Sequence, residues 1–356
     1  MKISTTPEQI KDGLFGAIFV QMLEVLPVLD EKKLWPNWAI RSVLYGAPPD
    51  SIIVPGLLEL NYRPGNGDGE ETNLAAVREK YAVTLGNDWA YLSLIWHKYF
   101  RLPKRVLDRA DQFTGLSQAL GLHYRGTDKN KATGETNFVS QDNFLVLARD
   151  FVSSHPEIDT ILIATDENAF VRRIEAEFKS LRVLHSGNVT HHKTLETGNN
   201  LAHGEHALLD CLLLSRCKYL LKCQSALSGF AKIFNPKVRA YRLSANMPWF
   251  WDIPNFPDAH LPKLTSQNPE CQRILARLFA GDWTYDQLMR KKFGGTYQYK
   301  QRRRYMRKES SFSPWSVDGL AMRFDRLSDR LSRLALRARA AFPNNQSLKN
   351  NRTQPT

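Results

Sequence analysis

An α/β fold built around a Rossmann-like unit is the expectation for this 356-residue chain, and three observations lead to it. Between Leu120 and Leu243, short apolar runs alternate with helical segments. The runs are nearly continuous in Leu, Ile, Val and aromatic residues, as parallel strands buried on both faces are. Several end in polar residues (HYRG, ATDE, KCQS), at the place where open α/β sheets bind ligands. We place this unit at 116–247. Residues 1–115 are less regular and predict a second, N-terminal α/β domain. Residues 248–300 form an aromatic, Pro-rich and helical return segment, and 301–356 a basic amphipathic tail.

In order along the chain, GLFGAIFVQMLEVLPVL (13–29) is apolar with helical character. Pro36, Pro48, Pro49 and Pro55 punctuate the next stretch, in which Ser51–Val54 reads as a strand. PGNGDG (64–69) is a turn-rich loop. Thr72 or Asn73 caps a helix running to about Val83. A helix at Trp89–Phe100 stops before Pro103, and 104–118 is mixed and helical. LGLHYRG (120–126) is a strand ending in a polar turn, and the loop TDKNKATGETNF (127–138) comes after it. A helix at 140–154 is capped by Ser140. DTILIATD is a strand, ENAFVRRIEAEFKS a helix and LRVLHS a short strand. An apolar helix covers 204–216. KYLLKC is the next strand, SALSGFAKIFN a helix and VRAYRL the last strand.

Composition narrows the function classes. The chain is 42% hydrophobic and 24% charged, which excludes a disordered, collagen-like or disulfide-scaffold protein. The net charge of +13 points first to nucleic acid. However, Gly281–Thr356 holds 17 basic and 6 acidic residues, leaving a net of only +2 on the other 280. Specific nucleic-acid binding is therefore not expected of the body. The four cysteines, Cys211, Cys217, Cys223 and Cys271, contain no CxxC pair and read as free buried thiols in a reducing compartment. No stretch reaches the ~18 apolar residues of a transmembrane helix. With no signal core behind Lys2, the expectation is a cytoplasmic protein. No Walker A loop, GxGxxG or GxSxG elbow occurs, so P-loop, simple dinucleotide and α/β-hydrolase chemistry lose their usual supports.

Three clusters at predicted strand ends can carry chemistry. In the first, His123 and Arg125 point to one side of their strand, and a guanidinium there grips a phosphate through paired donors. The alternative is a surface ion pair between Arg125 and Asp128. In the second, Asp166 and Glu167 accept hydrogen bonds from sugar hydroxyls, or cap the next helix. In the third, Asp210 lies inside the apolar ALLDCLLLS, where a carboxylate is costly unless paired. A base edge with two adjacent N–H donors suits it; Lys218 or Arg216 is the alternative partner. Ser225 opens a helix, where its hydroxyl meets a phosphate, a role compatible with that of a plain N-cap. His203, His206 and Asp210 have the spacing of one helix face, but without HExxH no metal is expected.

HYRGTDK, ILIATDE and LLDCLLLSRCKYLLKCQSALS resemble, in order and spacing, the three motifs of the GDP-fucose-dependent fucosyltransferase superfamily. That superfamily includes a bacterial nodulation branch, the α-1,6-fucosyltransferases of N-glycan cores and the protein O-fucosyltransferases. The resemblance covers about 120–245, and GLFGAIFVQML is similar to the family's N-terminal glycine-containing segment. It implies a GT-B-like architecture: two Rossmann-like domains facing across a cleft, the nucleotide sugar on the C-terminal one, the acceptor side on 1–115. It also implies inverting transfer with no metal or other cofactor, GDP-fucose being the donor substrate. Arg125 matches the arginine on the β-phosphate and His123 the histidine beside the nucleotide. Asp128 and Lys129 match the rest of the first motif. Glu135, within ETNF, aligns with the general base of the core α-1,6 enzymes. Asp166 and its neighbour Glu167 fall on the second motif, Asp210 on the guanine-contacting aspartate, and Ser225 on the phosphate-side serine. Two departures set α-1,6 linkage aside. Arg125-Gly126 stands where those enzymes have two arginines, and Phe144 where an aromatic hydroxyl is expected. Alternatives are a transferase for another GDP-sugar, or a non-catalytic sugar- or nucleotide-binding protein of the same fold.

Two further segments bear on partners. Trp249 and Trp251 in PWFWDIPNFP stack on a sugar ring of the carbohydrate acceptor or seal the domain interface. In the tail, Leu320, Phe324, Leu327, Leu331, Leu334, Ala338 and Ala341 form a heptad-like seam. Arg323, Arg326, Arg330, Arg333 and Arg337 lie on other faces. Such a helix fits an anionic membrane surface, which would place the protein peripherally at the inner membrane. It also fits packing on the body or pairing with a second helix.

Overall fold

The computed structural model describes residues 1–9, 13–46, 51–64, 71–83, 85, 88–126, 139–187, 200–243 and 259–261. The N-terminal part is a four-stranded sheet of β1 (Lys2–Ser4), β2 (Asn37–Arg41), β3 (Ile52–Val54) and β5 (Glu71–Asn73), in the order β3-β2-β1-β5. β1 runs parallel to β2 and β5, and β3 closes the edge antiparallel. A small antiparallel ribbon joins β4 (Glu59–Leu60) to β6 (Phe100–Arg101).

The apolar 13–29 segment begins as a π-helix, Leu14–Phe19, and continues as α1 (Val20–Glu31). Asn73 accepts the Ala76 N–H at 2.9 Å and starts α2 (Leu74–Tyr81). Asp88 accepts the Tyr91 N–H at 3.0 Å and starts α3 (Trp89–Tyr99). Helix α4 spans Lys104–Ala110, and a 3₁₀ turn at Leu116–Gln118 leads into the second sheet.

That sheet has six parallel strands: β7 (Leu120–Tyr124), β8 (Thr160–Thr165), β9 (Arg182–His185), β10 (Tyr219–Lys222), β11 (Arg239–Leu243) and β12 (Ala259–Leu261). Helices α5 (Gln141–Ser154), α6 (Asn168–Glu177), α7 (Asn200–Arg216) and α8 (Ala226–Phe234) make the crossovers. Ser140 caps α5 by accepting the Asn143 N–H at 3.2 Å. The order is β12-β11-β10-β7-β8-β9. The chain therefore winds outward from β7 to β9, then returns to the other side of β7 and winds the opposite way. The switch point lies between β7 and β10, where an open α/β sheet leaves a crevice at its carboxyl edge.

Two cores cover the sheet. Leu120, Leu122, Ile161, Ile163, Leu221 and Tyr241 pack under α5 and α6. Leu162, Leu220 and Ala240 share the other core with α7, α8 and the N-terminal helices. Phe230 on α8 is the joint, with Phe15 at 5.8 Å, Phe19 at 5.6 Å and Trp96 at 4.9 Å between ring centroids.

Helix α7 starts four residues before the expected 204. Gly204 belongs to its interior: a Cβ there would collide with Leu57 and lie 3.1 Å from the Tyr45 carbonyl. The glycine permits close approach of α7 to the N-terminal part rather than marking a helix start. Cys211, Cys217 and Cys223 are buried and free, as expected. Among the described residues no helix is long and apolar enough to cross a membrane.

Candidate functional site

The switch point brings the first sequence cluster together with Ser225 of the third, whereas Asp210 of the third lies beside Ser186 and Arg109. In the parallel register Lys222 of β10 lies opposite His123 of β7 and also opposite Arg242 of β11. The Cys223 N–H donates to the His123 carbonyl at 3.0 Å, tying the two strand ends. Because side chains alternate along a strand, His123, Lys222 and Arg242 share the α7–α8 face with Leu220 and Ala240. Arg125 comes two residues beyond His123 and is half-buried.

His123 is 5% exposed, and its Nδ1 has no hydrogen-bond partner. Burial first, then the charges of Lys222 and Arg125, pushes its pKa down to about 3. It is a neutral imidazole at physiological pH. Lys222 and Arg242 are both fully buried. Ser225 stands at the N-cap position of α8, yet its side chain makes no capping bond. Its hydroxyl is 4% exposed and has no partner. The plain-cap role for Ser225 therefore fails. Two buried polar atoms without partners, at adjoining strand ends beside cationic side chains, suit a site for a polar anion.

The second cluster joins the first from the β8 side. Asp166 Oδ1 accepts the Gly126 N–H at 3.0 Å and so braces the turn after Arg125. Glu167 accepts from Gln141 Nε2 at 2.5 Å. It sits at the N-cap of α6 without capping it through its side chain, so the capping alternative fails for Glu167 as well. A Cβ at Gly126 would run into the Glu167 carboxylate and lie 2.8 Å from the Tyr124 ring. The second arginine of the α-1,6 enzymes therefore has no room unless Glu167 moves. Phe144 is fully buried, edge-on to Tyr124 at 5.6 Å and packed on Phe170. It is a core residue.

Asp210 lies on α7 and is half-buried. Its carboxylate is hydrogen-bonded by the side chain of Ser186, just past β9. Burial pushes its pKa up from 3.8 to about 7; the Ser186 bond and the Arg109 charge oppose that rise. Both suggested alternative partners are engaged elsewhere. Arg216 donates to Asp111 at 2.7 Å, and Lys218 meets Glu157 at 3.2 Å. Asp210 thus remains a hydrogen-bond acceptor whose charge a ligand with N–H donors would stabilise. His203 stacks on Tyr45 with centroids 5.6 Å apart. Among the described residues no group of three His, Cys, Asp or Glu is placed to hold a metal ion.

Asp128, Lys129, Glu135, Trp249, Trp251, Cys271 and the 301–356 tail lie outside the described residues. Sequence reasoning passed over Lys222 and Arg242. The available signal was a basic residue at or near the end of an otherwise apolar strand, in YLLK and RAYRL.

No protein-family model and no curated protein sequence matches the chain. Solved structures similar to it are fucosyltransferases. Fucosyltransferase NodZ from Bradyrhizobium is 17% identical over 42% of this chain and 47% of its own, with a TM-score of 0.30. The chain thus spans about half the length of that enzyme. POFUT1 in complex with GDP is 11% identical over 65% of this chain and 93% of its own, at a TM-score of 0.40. Arabidopsis thaliana FUT1 in complex with GDP is 10% identical over 48% and 39%, at 0.30.

Proposed function

We propose that this protein is an inverting, metal-independent glycosyltransferase. Its donor is a GDP-sugar, GDP-fucose by the motif resemblance, and its acceptor a glycan or glycoconjugate. The observation that carries the reading is the pair of buried, partnerless groups, His123 Nδ1 and Ser225 Oγ, flanking the switch point beside Arg125. A diphosphate supplies oxygens for the Ser225 hydroxyl and the Arg125 guanidinium. Asp210 accepts two N–H donors from the base, an arrangement that guanine provides and uracil does not.

The chemistry derives from those placements. The acceptor hydroxyl attacks C1 of the sugar as the diphosphate departs from the opposite face. Negative charge grows on the β-phosphate, and Arg125 stabilises it as it develops. That fixed charge supplies the neutralisation a metal would otherwise bring. Neutral His123 borders the phosphates without adding a titrating charge. Asp166 holds the Gly126 turn and, with Glu167, faces the donor sugar. Asp128 and Lys129 extend the first motif along the donor, and Glu135 removes the acceptor proton. Holding donor and acceptor together, with 1–115 on the acceptor side of 116–247, supplies much of the remaining rate. The basic heptad of the tail attaches the enzyme peripherally to an anionic membrane.

The test is donor hydrolysis. Incubation with GDP-fucose and GDP-mannose in EDTA should release fucose and GDP in preference to mannose. Release of mannose alone reassigns the sugar, and no release of either sugar, with GDP still bound, favours a non-catalytic protein.

A further inference from the structure

We propose that Lys222 is a phosphate-binding residue of this site, acting with Arg125 so that the site takes a diphosphate rather than a monophosphate. The proposal rests on the reading of the switch point as a nucleotide-sugar site. It adds a residue to which the motif resemblance assigns no role.

Three placements support it. Lys222 ends β10 at the switch point itself, opposite His123 and on the same face. It is fully buried, in one row with His123 and Arg242. Three residues further on, the Ser225 hydroxyl is buried without a partner at the head of the nine-residue helix α8. A donor bound along this line meets Arg125 from the β7 side and Lys222 with Ser225 from the β10 side. The guanidinium fork suits paired oxygens on one phosphate, and the ammonium acts as a point charge on the other. Arg242, next along the row and also fully buried, adds to the positive field. Lys222 also helps to keep His123 neutral, so the imidazole can lie beside the phosphates at any physiological pH.

The experiment is calorimetric titration of the full chain with inorganic pyrophosphate, GDP and guanosine. It compares the unmodified protein with Lys222→Met and Lys222→Arg. Lys222→Met should weaken pyrophosphate and GDP about 10- to 100-fold, the worth of one hydrogen bond to a charged group, and leave guanosine unchanged. Lys222→Arg should keep most of the affinity. Unaltered GDP and pyrophosphate binding by Lys222→Met overturns the proposal while leaving the nucleotide-sugar reading intact. A parallel loss of guanosine binding shows a structural role and overturns it too. Pyrophosphate binding that depends on Lys222, in a protein that does not prefer GDP over UDP, upholds Lys222 and sinks the GDP reading. If circular dichroism shows Lys222→Met unfolded, the unmodified protein decides. Pyrophosphate must then shift the His123 ring resonances, and unshifted resonances refute the proposal.

Discussion

Asp210→Asn separates base recognition from folding more cleanly than any other single change. In the free protein the Asp210 carboxyl titrates near 7 rather than at 3.8, chiefly because it is buried. A raised carboxyl pKa means that the folded state holds its proton longer than the unfolded chain. This contribution to stability is complete below pH 3.8 and is lost as pH rises through about 7. The displacement corresponds to on the order of 2–4 kcal/mol, the lower end allowing for water that reaches a half-buried carboxylate. Asp210→Asn removes that loss. The variant should melt higher than the unmodified protein at pH 8 and about the same at pH 4. Its affinity for a GDP-sugar should nevertheless fall about 100-fold, because an amide cannot accept from two guanine N–H donors as a carboxylate does. The unmodified protein should bind GDP-fucose with full affinity above pH 7 and about tenfold more weakly per unit below it. The esterified diphosphate of the donor does not titrate there. Calorimetry from pH 5 to 8.5, on both proteins, reads the slope. A flat profile for the unmodified protein, or a sloping one for Asp210→Asn, refutes the assignment of Asp210 to the base.

Four other outcomes are expected from the same geometry. Arg125→Ala should lower transfer about 10²- to 10³-fold with the fold intact by circular dichroism; near-normal turnover would remove it from the β-phosphate. Ser225→Ala deletes a hydroxyl that makes no bond in the protein, so melting should be unchanged while GDP binding weakens up to about tenfold. Phe230→Ala should cost about 3–5 kcal/mol in chemical denaturation, since that ring joins Phe15, Phe19 and Trp96 to α8; a loss under 1 kcal/mol contradicts the shared core. Deleting 318–356 should release the protein from anionic liposomes in a sedimentation assay, and full-length protein that never sediments with them removes the membrane proposal.

The sequence made five of the six strands legible because the central ones are buried on both faces, but it missed β12 (Ala259–Leu261), which carries the sheet into the segment expected to be an aromatic, Pro-rich and helical return. TILIAT and YLLK read as unbroken apolar runs and can be little else. The Ser140 cap was equally plain, and of the two candidates Thr72 and Asn73 it is Asn73 that caps α2. The N-terminal sheet was harder. Its central strand β1 is only KIS, three residues with one apolar side chain. Pairing with β2 on one side and β5 on the other makes it a strand, and no local pattern encodes that. At the site, Arg125, His123 and Asp210 stood out as charged or polar residues in the wrong company. Lys222 did not, because a lysine at a strand end ordinarily reads as a solvated terminus; only the register opposite His123 buries it. Capping was a sound expectation for Ser225 and Glu167 from their positions. The structure gives the N-cap sites to both and capping bonds to neither side chain, leaving one hydroxyl without a partner and one carboxylate on Gln141.

The central claim is that a guanine nucleotide diphosphate binds at the β7–β10 switch point through fixed protein charges. Titrating the full-length protein with GDP, UDP and CDP, each in EDTA, tests it most directly. GDP should bind with at least tenfold preference and without added metal, whereas a preference for UDP, or binding that appears only with Mn²⁺, would contradict the account.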